Sequence, residues 1–125
     1  MNTISPALQQ EQENASTTPS SLIRLRPTLW LDLDGGVIIR EHEEILLTAR
    51  EVGALRILAH TMCTSRSYLR ASVIAQRLGI MDAFDPEHCI EQNVSTIRRK
   101  LGESPRQSRL LKGRRGLGYR LCPEL

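Results

Sequence analysis

The stretch "KGRRGLGYRL", Lys112 to Leu121, gathers three glycines and four cations around one tyrosine near the end of the chain. Three readings compete: a phosphate cradle for a nucleotide, a solvated basic tail, or a stiff hairpin that carries arginine to a negatively charged surface. A cradle needs its glycines between a strand and the N-terminus of a helix, whose amides then point at phosphate. Here strand-like residues flank the glycines on both sides, Leu110–Lys112 before and Leu117–Leu121 after, and the spacing fits neither the dinucleotide fingerprint nor the P-loop. A flexible tail would not need Leu117, Tyr119 and Leu121 at period two, the mark of a strand with one buried face. What remains is a β-hairpin displaying Arg114 and Arg115 at its tip, on a backbone shaped by Gly113, Gly116 and Gly118. Glycine permits positive φ there and removes bulk, so the finger can approach a partner closely and present arginine to a phosphate or a narrow minor groove.

Upstream lies "PEHCIEQNVSTIRRKLG", Pro86 to Gly102, preceded by Asp85 as a helix N-cap, with Pro86 in the first helical position. Ile90, Val94, Ile97 and Leu101 recur at helical spacing and form one narrow apolar stripe. Gln92, Ser95, Thr96 and Arg99 fall opposite, with Asn93 and Arg98 on the flanks. One side is expected in a core; the other is short, polar and cationic, which suits a groove lined with hydrogen-bonding edges. His88 and Cys89 point about 100° apart on such a helix, so they do not share a metal. His88, at the helix start, is better placed to meet phosphate.

Before this helix, "GIMDAFDP" puts Ile80, Met81 and Phe84 in a loop. Apolar loop residues are expected to tuck onto their own core; the sharper reading is a knob for a partner. "TSRSYLRASVIAQRLG" contains a second helix starting between Ser67 and Ser72, with Val73, Ile74 and Leu78 facing the core and Gly79 as its C-cap. In "LLTAREVGALRIL", Thr48 and Glu51 form a capping-box pattern that opens a first helix, about Ala49 to Met62. Residues 22 to 48 alternate short apolar runs with Pro27, Asp34-Gly35-Gly36 and Glu41-His42-Glu43, an antiparallel meander of three or four strands in which Trp30 packs. The first 21 residues are rich in Ser, Thr, Gln and Asn and read as a disordered tail, leaving one domain from residue 22 to 125.

The formal net charge is +3, yet it is unevenly spread. From Val94 onward nine Lys or Arg face two Glu, so that part carries +7 and residues 1 to 93 carry −4. A localised basic face is the footprint of a polyanion-binding surface. Three scattered cysteines without a C-x-x-C pair indicate neither a disulfide framework nor a thiolate metal site, and no metal or other cofactor is expected. No nucleophile–base pair is discernible, so an enzyme is not expected. With no charged-then-apolar leader and no long apolar run, a cytoplasmic protein without membrane partners is expected.

Three pieces in order, "LLTAREVGALRIL", "IEQNVSTIRRKLGE" and "RRGLGYRL", resemble the winged-helix effector domain of OmpR/PhoB-type response regulators, the last being close to that family's Arg-Gly-x-Gly-Tyr-Arg wing signature. The resemblance spans about residues 22 to 122. It implies an α+β winged helix-turn-helix with an N-terminal β-meander, three helices and a C-terminal hairpin wing. It also implies a bacterial transcription regulator that binds double-stranded DNA, with the helix of about residues 86–101 in the major groove and the wing of residues 112–121 in the minor groove. By position, Glu91, Gln92, Asn93, Ser95, Thr96 and Arg98 fall where the family touches bases or phosphates, and Arg115 falls on its wing arginine. With His88, Arg99, Lys112, Arg114 and Tyr119 these make the expected DNA-binding set. Ile80, Met81, Asp82 and Phe84 match the loop with which such proteins touch RNA polymerase. The family often binds DNA repeats as a homodimer. Thr96 stands where many members carry a basic residue, and no phosphorylatable receiver domain precedes the meander, so the chain is either a piece of a longer regulator or a standalone effector. The rival expectation is a winged-helix module that docks on polymerase or another regulator through its basic face.

Overall fold

The computed structural model describes residues 22–64 and 67–124. The tail expected at residues 1–21 lies outside them. Four short strands come first: β1 (Leu22–Arg26), β2 (Leu29–Asp32), β3 (Val37–Arg40) and β4 (Glu43–Leu46). They form an antiparallel meander in sequence order. Asp32 pairs with Val37, so Leu33 to Gly36 make the connection, where Asp32 Oδ1 accepts from the Gly35 N–H at 2.9 Å and Gly36 takes φ +67°. The alternation read from sequence puts Leu25, Leu29, Leu31 and Ile38 into the core.

Helix α1 (Ala49–Thr64) starts on the capping box: the Glu51 N–H donates to Thr48 Oγ1 at 3.2 Å and the Thr48 N–H donates to Glu51 Oε1 at 2.8 Å. Helix α2 (Ala71–Leu78) and helix α3 (Pro86–Leu101) both end on left-handed glycines, Gly79 and Gly102, each closed by the paired backbone bonds of a Schellman motif. Asp85 caps α3 as expected, its carboxylate accepting from the His88 N–H at 3.2 Å. On α2 the core positions are Ile74 and Ala75, whereas Val73 is only half-buried. The reason is the phase of the stripe: Ala71, Ile74, Ala75 and Leu78 recur at i, i+3, i+4 and i+7 against the core, and residue 73 falls off that line.

The stripe of α3 is buried throughout, with Ile90 and Ile97 at 0% exposure. It packs with Leu55 and Leu58 of α1, Ile74 of α2 and the inner meander residues. Beyond α3 the chain forms strands β5 (Leu111–Arg114) and β6 (Gly118–Leu121), an antiparallel hairpin whose root residues Leu111 and Leu121 face each other inside the core. The link between α3 and β5 is organised by a buried carboxylate: Glu103 accepts from the backbone N–H groups of Arg109, Leu110 and Leu111 at 2.9, 2.8 and 3.3 Å, and from Arg26 at 3.3 Å. Burial of a charge on that scale is tolerable because donors surround it.

Candidate nucleic-acid interface

The hairpin differs from its sequence reading in one respect. Gly113 is not at the tip but within β5, opposite Tyr119, and the turn is Arg115-Gly116-Leu117. Leu117 therefore lies in the turn at 46% exposure rather than on a buried strand face. The register demands this, because Arg114 pairs with Gly118 and the Leu117 N–H closes the turn onto the Arg114 carbonyl at 2.9 Å. Arg114 and Arg115 are both exposed.

What aims the wing is a contact far away in sequence. The Leu69 N–H donates to the Tyr119 carbonyl and the Tyr119 N–H to the Leu69 carbonyl, each at 2.8 Å, so β6 is pinned to the segment ahead of α2. Gly118 makes this possible, since a Cβ there would overlap the Leu69 carbonyl and its backbone holds φ +112°. The wing then stands beside α3, and an open groove of about 1090 Å³ separates them. Glu87, Glu91 and Arg98 of α3 line one wall, the wing from Gly113 to Gly116 with Tyr119 lines the other, and Arg70 and Ser72 at the start of α2 close the end.

Around α3 the expected contact residues divide into two groups. Glu91 and Arg98 face the wing groove. Gln92, Asn93, Ser95, Thr96 and Arg99 border a second hollow of about 540 Å³, against Thr48 and Glu51 at the start of α1. Gln92, Ser95 and Arg99 are exposed. Thr96 is half-buried and its hydroxyl donates to the Gln92 carbonyl at 3.0 Å, which leaves its oxygen as an acceptor. Asn93 sits on the flank with its Nδ2 buried and without a hydrogen-bond partner among the described residues. His88 is exposed, with Nδ1 3.7 Å from Glu91 Oε1. Lys112 is exposed and pairs across the hairpin with Arg120; neither lines the groove, and Arg120 lies over the Tyr68 ring at 5.9 Å.

Not every cation of the basic segment is available. Lys100 is held by Glu51 Oε1 at 2.7 Å and the Leu46 carbonyl at 2.9 Å, which ties α3 to α1 and the meander. Tyr119 is half-buried beside Arg98, and its phenol is pushed above the ordinary tyrosine range, first by burial and then by the Glu91 carboxylate, with Arg98 opposing. In the loop before α3, Ile80 packs on the core, while Met81 is 53% exposed and Phe84 fully so. The expectation that these side chains tuck inward is thus corrected for two of the three. The turn of Ile80 to Ala83 closes on itself and carries Phe84 past the core's edge. Arg70 and Ser72 were not legible as groove residues, because nothing local marks the start of α2: its N-cap position is Arg70, which makes no side-chain cap.

An N-terminal meander, a three-helix core and a wing beside the third helix define the class: a winged-helix DNA-binding effector domain. Residues 42–121 match the family model described as transcriptional regulatory protein, C terminal, and the chain belongs to that family, the OmpR/PhoB-type DNA-binding domain. Protein PetR of Rhodobacter capsulatus is 28% identical over 120 residues, covering 94% of this chain and 50% of PetR, so the chain spans about half the length of that curated relative. Among solved structures, the C-terminal effector domain of BfmR from Acinetobacter baumannii superposes with a TM-score of 0.64 at 25% identity, covering 84% of this chain and 93% of that one. The Klebsiella pneumoniae RstA DNA-binding domain, solved in complex with the RstA box, gives 0.65 at 19% identity, covering 82% and 98%. Among the described residues no helix is long and apolar enough to cross a membrane.

Proposed function

We propose that the domain from residue 22 onward binds a specific double-stranded DNA sequence and regulates transcription in the bacterial cytoplasm. In this reading the exposed face of α3, Gln92, Ser95 and Arg99 above all, enters the major groove, and Arg115 reaches the neighbouring minor groove from the wing tip. One observation carries the proposal: the arginine-bearing wing stands beside α3 across an open groove, and Gln92, Ser95 and Arg99 are exposed on that same helix. Base-edge recognition suits the short side chains on α3, since an amide, a hydroxyl and a guanidinium supply both donors and acceptors. Phosphate contacts fall to Arg70, Arg114 and the N-terminal end of α3 near His88. Glu91 is the exception in this set, because a carboxylate repels phosphate and can accept only from an amino group such as that of cytosine.

Selection of bound fragments from a random duplex library, followed by anisotropy titration at several salt concentrations, tests the proposal. The expected log-log salt slope is roughly −3 to −6 per protomer, as for four to six neutralised phosphates. Arg115→Ala is expected to cost about 1–3 kcal/mol in specific binding with the fold intact. No enrichment in the selection, or a flat salt response, overturns the reading. Repeat spacing in the selected fragments reports whether two copies bind side by side.

A second reading has its own support in the outward Phe84 and Met81: a surface that docks on RNA polymerase or another regulator. Retention of polymerase without DNA affinity would make docking the whole function.

A further inference from the structure

We infer that Arg98 is a positioning residue, a strut that fixes the distance between α3 and the wing so that both meet one duplex; this rests on the DNA-binding reading. Arg98 lies on the wing-facing flank of α3 and is half-buried, whereas Arg99, the next residue, is turned outward and exposed. Its guanidinium touches both strands of the hairpin. Nε donates to the Leu111 carbonyl of β5 at 3.1 Å, and Cζ lies 5.7 Å from the Tyr119 ring centre of β6. Gly113 leaves the room this requires: a Cβ there would come 2.8 Å from Arg98 Nη2 and 3.3 Å from the Tyr119 ring. Glycine at this position therefore serves the guanidinium rather than the turn.

Among the contacts that hold the wing, Arg98 is one that comes from α3 itself. Glu103 holds the approach to β5, and the Leu69–Tyr119 pair holds β6 from behind. The Arg98 side chain spans the Leu111 carbonyl at the root and the Tyr119 ring midway along the finger. A planar guanidinium can hydrogen-bond one strand while stacking on the other; a lysine keeps the charge but has no fork to do both. That difference separates a strut from a phosphate contact, for which a lysine is an adequate replacement.

The test uses the whole chain, a duplex recovered by selection, and the variants Arg98→Lys, Gly113→Ala and Arg115→Ala with their double combinations. Gly113→Ala retains every charge and displaces the Arg98 guanidinium by steric contact. As struts, Arg98→Lys and Gly113→Ala should each weaken specific binding about tenfold, the scale of losing a recognition contact. The salt slope should fall by no more than the wing's own arginine contacts supply, about 0.9 for each phosphate released, because Arg98→Lys and Gly113→Ala both leave the protein's charge unchanged. In either background Arg115→Ala should add little further loss, since a misplaced arginine has little left to lose. In the free protein, backbone amide relaxation at Gly116 and Leu117 should report a more mobile tip. Wild-type affinity in Arg98→Lys, a loss fully additive with Arg115→Ala, or an unchanged tip in both variants would overturn the strut. If no duplex is selected by the wild-type chain, it is the DNA reading that fails, and tip relaxation still decides whether Arg98 holds the wing.

Discussion

Tyr119 shows how much one side chain of the wing is asked to do. Its backbone completes the bridge to Leu69, its ring meets the Arg98 guanidinium, and its phenol is held above the ordinary range by burial and by Glu91. The sign of the consequence follows from proton binding. The folded state holds the phenolic proton to higher pH than the unfolded chain, so the stabilisation is fully present below about pH 10 and is lost as pH rises toward the folded value. Denaturant midpoints measured from pH 9 to 11 should therefore fall, and Tyr119→Phe, which retains the ring but has no proton to lose, should flatten part of that fall. An equally steep decline in the variant would assign the alkaline sensitivity to other groups. Residue types were readable here before their contacts were. The reciprocal bonds of Thr48 with Glu51, the cap at Asp85 and the left-handed glycines at 79 and 102 all lie within four residues of their partners, where local geometry leaves few choices.

At the scale of elements, the hairpin is the case where a local pattern was read correctly in kind and wrongly in detail. Period two in "GLGYRL" announces a strand, but the contacts that aim the finger, the Leu69 bridge and the Arg98 guanidinium, lie in no window around the wing. The same holds for the start of α2, whose first turn is defined by what it packs on rather than by a cap. Gly118→Ala tests the anchoring. A methyl group there overlaps the Leu69 carbonyl, a backbone atom that cannot swing aside, and φ of +112° is strained for alanine. The variant should lose about 2–4 kcal/mol of stability, since both strain and a lost pair of backbone bonds contribute. Amide exchange at residues 69 and 119 should become faster than in the rest of the sheet. A loss below about 0.5 kcal/mol with protected amides would mean that the wing is held without this bridge.

The whole molecule separates two kinds of surface. The basic segment from Val94 onward supplies Arg98 and the wing wall of the groove, which Arg70, Glu87 and Glu91 complete from earlier in the chain, while Met81 and Phe84 project from the loop between α2 and α3 and line neither the groove nor the second hollow. Such a large apolar side chain left fully exposed contributes nothing to its own core, so its removal should be nearly silent for folding, within about 0.5 kcal/mol. It should also leave DNA affinity and its salt slope unchanged, because no charge and no groove wall is altered. If the loop is the polymerase-facing surface, the double variant Met81→Ser, Phe84→Ser should lose retention of RNA polymerase on a DNA-bound support while still occupying the same selected duplex. Substitutions in the wing would do the reverse, weakening occupancy first and retention only as its consequence. Equal polymerase retention by the double variant and the wild type, measured at matched DNA occupancy, would remove the loop from any docking role and leave the groove as the domain's functional surface.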